Sequence, residues 1–353
     1  MKNNSLSRRT FLCKTSTIAA GAAAGTFAGH GCGSEKKLSA VNASNIHNYN
    51  PKKNGGCSVT FSYDVDMPCG GNTYLYDRLI PWLRGDDGHD AHGHLNDDVR
   101  NYIKNLATTA ENYNAKLQFF LQGNTFEKQT DVALWKEIAQ RGHAIDNHTY
   151  SHLAPLGQKT TQEIEQEITQ TKNLIEKHLN MENIGLRTPW GYTNGLLRFD
   201  ELSVESTPQE VQLAILNSGM KWVSSRISSS EGGQRVTDER SIEMIAERQP
   251  LYYDSGLLEI PFCIFQDREY FDSDCGGDPL RPLEEWIDYL KKAVDFAYEN
   301  NLYLSVTVHP STSFKHDPKG KYLKEIYEHC KKKPDIVLCT TRDIYRWVSN
   351  EKT

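Results

Sequence analysis

The chain has 353 residues, of which 38% are hydrophobic and 24% are charged, and its formal net charge is -6. This length suits one large globular domain or two ordinary ones. Because the net charge is small and the sequence has no basic stripe, nucleic acid is not an expected partner.

The first 55 residues are predicted to serve export rather than the fold. Residues 7–12 (SRRTFL) are typical of a twin-arginine signal, and the Ala- and Gly-rich residues 15–28 are too few and too weakly apolar for a transmembrane helix. We assign residues 1–32 to a signal read by the twin-arginine export machinery and residues 33–55 to a polar linker. The mature chain, with no transmembrane segment, is then expected in the periplasm, at the cell envelope or outside the cell. Lipid attachment at Cys32 and cleavage near Cys32 both stay open.

Short β-rich runs alternate with amphipathic helical stretches from Cys57 onward. Strands are predicted at residues 58–63, 117–121, 144–147, 184–187, 222–225, 257–262, 302–308 and 336–338. Between them, apolar residues recur at helical spacing: Val99, Ile103 and Leu106; Ile164, Ile168, Ile175 and Leu179; and Trp286, Leu290 and Val294. Thr207 followed by Pro208 is typical of a helix start, and residues 322–332 are predicted to form a further helix.

This alternation of strand and helix repeats about seven times, which favours a parallel α/β barrel. We therefore expect a distorted (β/α)7-type barrel that forms a single catalytic domain over residues 56–350. The residues best suited to catalysis or metal binding lie at or just after the C-terminal ends of predicted strands: Asp64, Asp66, His148, His152, Arg187 and His309. In parallel barrels the chemistry gathers at that rim.

Two long segments are predicted to be loops. Residues 68–98 are Gly-rich and polar, and they directly follow Asp66. We expect them to wall a substrate groove, with His89, His92 and His94 either as polar loop residues or as ligands of a second metal. Residues 227–256 are charged and Ser-rich and are predicted to form the other loop.

The histidine and aspartate pairs have the spacing of metal ligands. His148 and His152 are four apart, so both imidazoles would lie on one face of a helix. Asp64 and Asp66 are two apart, so both carboxylates would lie on one face of a strand. Together they offer nitrogen and oxygen ligands for one divalent metal and leave a carboxylate for acid–base work. This pattern indicates metal-assisted hydrolysis.

Five motifs resemble, in order, those of polysaccharide deacetylases of carbohydrate esterase family 4, the NodB-homology group. They are residues 60–66 (TFSYDVD), 148–152 (HTYSH), 187–191 (RTPWG), 258–261 (LEIP) and 306–310 (VTVHP). The resemblance extends over about residues 57–347. The family usually has two adjacent aspartates in its first motif, whereas Val65 separates them here. This Asp-x-Asp arrangement resembles a branch of the superfamily that also contains amidohydrolases of small C–N substrates.

The resemblance implies a role for each matched residue. Asp66, His148 and His152 would bind the metal, and Asp64 would be the general base for the attacking water. An exchange of roles between the two aspartates stays open. His309 would be the general acid, because an amine leaves slowly unless it is protonated.

Further matched residues would support the reaction. Arg187 would pair with Asp64 and fix its orientation. The backbone N–H of Trp190 would help to hold the oxyanion, and Pro189, the Trp190 ring and Leu258 would line the acetyl pocket. Leu258 is equally expected to be an ordinary core residue of its strand.

The expected activity is removal of N-acetyl groups from an amino-sugar polysaccharide, such as peptidoglycan, a chitin-like polymer or poly-N-acetylglucosamine, with release of acetate. The partner would be the acetylated glycan. Zn2+ is the first choice of metal, and Co2+, Ni2+, Mn2+ or Fe2+ are alternatives because two histidines and one aspartate select weakly among them. The alternatives for function are an O-acetyl xylan esterase of the same fold, a small-molecule C–N amidohydrolase and a non-catalytic glycan-binding protein.

Six cysteines follow the predicted signal: Cys57, Cys69, Cys263, Cys275, Cys330 and Cys339. In an exported protein they permit up to three disulfides. Free buried thiols are the alternative.

Overall fold

The computed structural model describes residues 56–65, 95–153, 156–189, 205–225, 230–231, 234–271 and 281–350. The predicted export signal, the linker and Cys32 lie outside these residues. So do Asp66, Trp190, Cys69, Cys275 and the three histidines of the segment 68–98.

Eleven strands are assigned within the described residues: β1 (Ser58–Val65), β2 (Gln118–Leu121), β3 (Ala144–Asn147), β4 (Gly185–Arg187), β5 (Trp222–Ser224), β6 (Ser230–Glu231), β7 (Gln234–Arg235), β8 (Leu251–Tyr252), β9 (Leu258–Glu259), β10 (Tyr303–Val308) and β11 (Val337–Leu338). Neighbouring strands in the main sheet follow the order β10-β1-β2-β3-β4-β5-β9-β8, and β11 pairs with β1. From β10 to β9 every pairing is parallel, whereas β8 runs antiparallel to β9.

This sheet confirms the predicted fold, a parallel α/β barrel of the (β/α)7 type. All eight predicted strands are present. The largest difference is at residues 257–262, of which only Leu258–Glu259 pair as a strand. Pro261 has no N–H to donate, which ends the regular pairing there.

The barrel is distorted between β9 and β10, where the described strands do not pair and individual hydrogen bonds bridge the gap instead. The backbone N–H of Cys263 donates to the Ser305 carbonyl at 3.2 Å. The Gln249 side chain donates to the Tyr303 carbonyl at 2.9 Å and accepts from the Tyr303 N–H at 2.9 Å. The amide of Gln249 therefore replaces a neighbouring strand.

The described α-helices are α1 (Asp97–Glu111), α2 (Gln129–Gln140), α3 (Thr161–Leu179), α4 (Pro208–Asn217), α5 (Asp238–Glu243), α6 (Asp267–Phe271), α7 (Leu283–Asn300), α8 (Pro310–His316), α9 (Lys321–Lys331) and α10 (Thr341–Ser349). The predicted apolar stripes on α1, α3 and α7 are all buried. Thr207 caps α4 and Pro208 is its first residue, as predicted. Within the described part of the chain, no helix combines the length and apolarity that a membrane span requires.

The segment 227–256 is not the long loop that we expected. It contains the hairpin β6–β7, helix α5, a 3-10 turn (Met244–Glu247) and β8. Thr237 caps α5 by accepting a hydrogen bond from the Arg240 N–H, and Ile242 and Ile245 are buried. The prediction was wrong because elements this short show no clear apolar period. Most of the other predicted loop, 68–98, lies outside the described residues, but Asp97 already begins α1.

Four of the six cysteines are buried free thiols: Cys57, Cys263, Cys330 and Cys339. Burial raises the pKa of Cys57, Cys263 and Cys330 to about 12. A framework of three disulfides is therefore excluded, and the alternative of buried thiols holds for these four.

Candidate active site

Parallel pairing brings the predicted site residues to one end of the barrel. A row of paired residues crosses four neighbouring strands through Val65, Leu121, Asn147 and Leu186. Asp64 lies one residue before this row, and His148 and Arg187 each lie one residue after it. All three are buried, with exposed fractions of 6%, 2% and 0%.

His309 reaches the same rim from the opposite side of β1. Val308, the last residue of β10, pairs with Tyr63. His309 follows Val308 and Asp64 follows Tyr63, so the two lie on adjacent strands at the same level. His309 is also buried, with 4% of its surface exposed.

Asp64 and Arg187 form a buried ion pair at the centre of this rim. One Arg187 Nη donates to Asp64 Oδ2 at 3.2 Å and to Thr307 Oγ1 at 2.9 Å, and the other donates to Ser62 Oγ at 2.9 Å. Burial lowers the pKa of the Arg187 guanidinium, whereas the Asp64 carboxylate raises it. The other carboxylate oxygen, Oδ1, is buried and accepts no hydrogen bond from the described residues. The ion pair thus fixes one oxygen of Asp64 and leaves the second for chemistry.

Two aromatic rings enclose the Arg187 guanidinium. Its Cζ lies 4.5 Å from the ring centroid of Phe120 on β2 and 4.5 Å from that of Phe262, just beyond β9. Cations are attracted to ring faces at such distances. The arginine is therefore held in place by packing as well as by hydrogen bonds.

His148 and His152 come together, but not on a helix. They lie in a turn after β3 in which Thr149 and His152 have positive φ angles of 61° and 60°. The prediction of a helical turn was wrong because backbone pairing fixes this segment instead: the His148 N–H donates to the Leu121 carbonyl at 2.8 Å. The two imidazole rings nevertheless lie 4.9 Å apart between centroids.

His309 is held by Asp267, a residue that sequence reasoning missed. The Nδ1–H of His309 donates to Asp267 Oδ1 at 2.7 Å, and its backbone N–H donates to Oδ2 at 2.8 Å. Asp267 is fully buried at the start of α6. Both carboxylate oxygens therefore fix the orientation of the imidazole and would stabilise its charged form.

Pro189 and Leu258 are the other predicted site residues that the structure describes. Pro189 is buried next to the rim. Leu258 is fully buried within the core and pairs with Trp222 and Tyr252, which is the ordinary packing role. From the same part of the chain it is Phe262 that contacts the site, through Arg187.

The histidine pair fits a divalent metal. His148 donates its Nδ1–H to the Arg187 carbonyl at 2.8 Å, so Nε2 carries the lone pair that a metal needs. Among the described residues no three His, Cys, Asp or Glu side chains form a group that could hold a metal. The third predicted ligand, Asp66, lies outside those residues and directly follows the end of β1.

Comparison with known proteins identifies related sequences. A family model described as polysaccharide deacetylase matches residues 84–205. The chain is 28% identical over 116 residues to a peptidoglycan-N-acetylglucosamine deacetylase of Bacillus cereus, covering 33% of this chain and 38% of that protein. It is 32% identical over 89 residues to the uncharacterized protein YlxY of Bacillus subtilis, covering 25% of each chain. The matches thus span well under half the length of these relatives.

Three solved structures share the fold over most of their length. A polysaccharide deacetylase structure from Mycobacterium smegmatis superposes with a TM-score of 0.58 at 18% identity, covering 84% of this chain and 92% of that chain. One from Pseudomonas aeruginosa gives 0.59 at 14% identity and covers 86% and 95%. The allantoinase PuuE gives 0.60 at 12% identity and covers 87% and 95%. The chain is thus similar to polysaccharide deacetylases in sequence over residues 84–205, and it shares the barrel fold of the solved structures over most of its length.

Proposed function

We propose that this protein is an exported, metal-dependent hydrolase that removes N-acetyl groups from an amino-sugar polysaccharide and releases acetate. The observation that carries the proposal is the buried cluster at one end of the barrel. It combines a carboxylate tied to an arginine, two imidazoles whose ring centroids lie 4.9 Å apart, and a third imidazole tied to an aspartate.

Asp64 is proposed as the general base. Its Oδ2 is fixed by Arg187 at 3.2 Å, and its Oδ1 accepts no hydrogen bond from the described residues, so Oδ1 is available to take a proton from the attacking water. The fixed geometry removes the cost of orienting the base during the reaction.

His309 is proposed as the general acid. With Nδ1–H donated to Asp267, the proton to be transferred resides on Nε2, and the buried carboxylate stabilises the imidazolium that carries it. Passing this proton to the amide nitrogen makes the amine a good leaving group as the C–N bond breaks. Acetate and a free amino sugar are the products.

His148 and His152 are proposed to hold a divalent metal together with Asp66, and Zn2+ is the first choice. When bound, such an ion polarises the acetyl carbonyl and favours deprotonation of water. The backbone N–H of Trp190 is proposed to help hold the oxyanion, and Pro189 and the Trp190 ring to border the acetyl group.

The choice of substrate is supported by relatives and by the predicted export. The B. cereus relatives are described as peptidoglycan-N-acetylglucosamine deacetylases. A twin-arginine signal would carry this chain to the cell envelope, where such a polymer lies. Peptidoglycan is therefore the glycan that we propose to test first.

The test is acetate release by the purified protein from peptidoglycan, chitin oligomers and acetylated xylan, with and without a chelator. Asp64→Asn should abolish release, whereas Asp288→Asn, at an exposed aspartate on α7, should leave it unchanged. Chelator-sensitive release from an N-acetylated glycan would support the proposal. Release from xylan alone would favour an O-acetyl esterase, and no release by protein that binds metal would refute the deacetylase assignment.

A further inference from the structure

The turn that carries the histidine pair has an unfavourable backbone. Thr149, with φ at 61°, is β-branched, and such side chains are rarely found in the left-handed region. His152 has φ at 60°. Residues held in this region persist only where surrounding contacts impose the conformation.

A single carboxylate from another element supplies several of those contacts. Glu167 on α3 accepts hydrogen bonds from the Tyr150 N–H at 2.9 Å, the Ser151 N–H at 2.8 Å and the Ser151 hydroxyl at 2.9 Å. These donors belong to the residues between the two histidines. Hydrogen bonds to a charged acceptor are roughly twice as strong as neutral ones.

The helix that carries Glu167, α3, is well anchored to the core. Its neighbours Ile164 and Ile168 are fully buried, and Thr160 and Glu163 form a capping box at the start of α3. The backbone that carries Glu167 is therefore well held, and its carboxylate ties the turn to this helix through three hydrogen bonds.

We propose that Glu167 is a positioning residue that fixes His148 and His152 as metal ligands before the metal arrives. The inference rests on the proposed metal-dependent function. Without Glu167 the turn would relax from its left-handed angles, and the two imidazoles would have to be reordered on each binding event. Loss of Glu167 would therefore weaken metal binding and leave the fold intact.

The experiment compares Zn2+ affinity, measured by competition with a chromophoric chelator, in the wild type, Glu167→Gln and Glu165→Gln. Glu165 lies on the same helix and accepts one exposed hydrogen bond from Asn217, so it is the matched control. Outer-shell partners of metal ligands typically contribute about 10–100-fold in affinity. We expect a loss of this size for Glu167→Gln and a change below about twofold for Glu165→Gln.

Ser151→Ala is the second variant, since it removes one of the three donors and leaves the fold intact. We expect it to lose a few-fold in Zn2+ affinity. In the metal-free protein, amide hydrogen exchange at residues 150 and 151 should be faster in Glu167→Gln, with the core strands unaffected.

The outcomes separate this inference from the proposed function. Wild-type affinity in Glu167→Gln, or in Ser151→Ala should Glu167→Gln fail to fold, would overturn the inference while leaving a metal-binding protein. A wild type that binds none of Zn2+, Co2+, Ni2+, Mn2+ and Fe2+ would overturn both.

Discussion

The stability of the protein should depend on pH through His143, which immediately precedes β3. Its Nδ1 accepts a hydrogen bond from the Leu117 N–H at 3.0 Å, and only 1% of its surface is exposed. Burial lowers the pKa of His143 from 6.5 to about 4, and the nearby Lys116 contributes to the decrease.

The contribution of His143 to the free energy of unfolding depends on its pKa in the unfolded chain and in the folded chain. Between pH 6.5 and about 4 the unfolded chain binds a proton at His143 that the folded chain does not bind. The stability that depends on neutral His143 is therefore fully present above pH 6.5 and is lost as the pH falls to about 4. A difference of about 2.5 pKa units corresponds to about 3 kcal/mol of unfolding free energy.

His143→Asn is the variant that isolates this effect, because an Asn Oδ1 can accept the Leu117 N–H and does not titrate. The assay is urea unfolding followed by tryptophan fluorescence at pH 7.5 and pH 4, in a chelator so that metal binding does not contribute. The wild type should lose about 3 kcal/mol more than the variant between the two pH values. A difference below about 1 kcal/mol would refute the reasoning, since all other titrating groups are common to both chains.

Two further predictions concern the rim of the barrel. Asp267→Asn should lower kcat for acetate release about 10²–10⁴-fold with little change in KM, because an amide has only one acceptor for the two N–H groups of His309 and carries no charge to stabilise the imidazolium; a change below about threefold would contradict its role. Arg187→Lys should lower the unfolding free energy by about 3 kcal/mol, since one ammonium cannot replace a guanidinium bonded to Asp64, Thr307 and Ser62. Urea unfolding measures this loss, and a change under about 1 kcal/mol would show that the buried pair is dispensable.

The sequence predicted the strands well because each buried strand is a short β-rich run between turn residues. It also predicted that Asp64, His148, Arg187 and His309 meet at one rim, since parallel strands end together. Strand ends and strand direction, which the local residue pattern provides, are enough to place these residues together.

The partners of these residues were not predictable in the same way. Asp267 is 42 residues from His309, and Glu167 is 16 from Ser151, and nothing local marks either as a partner. The left-handed angles at Thr149 and His152 were hidden as well, because neither position holds glycine or asparagine. A spacing of four between histidines suits a helical turn and also suits a turn whose shape is imposed by its surroundings.

The enclosure of Arg187 has a consequence for how this protein can change over time. Its guanidinium joins β1, β2, β10 and the segment after β9 through Asp64, Phe120, Thr307 and Phe262. The guanidinium that orients the proposed base thus also holds these parts of the barrel together. Selection for folding alone would retain this arginine, so its presence in a descendant that had lost its chemistry would not be a sign of activity.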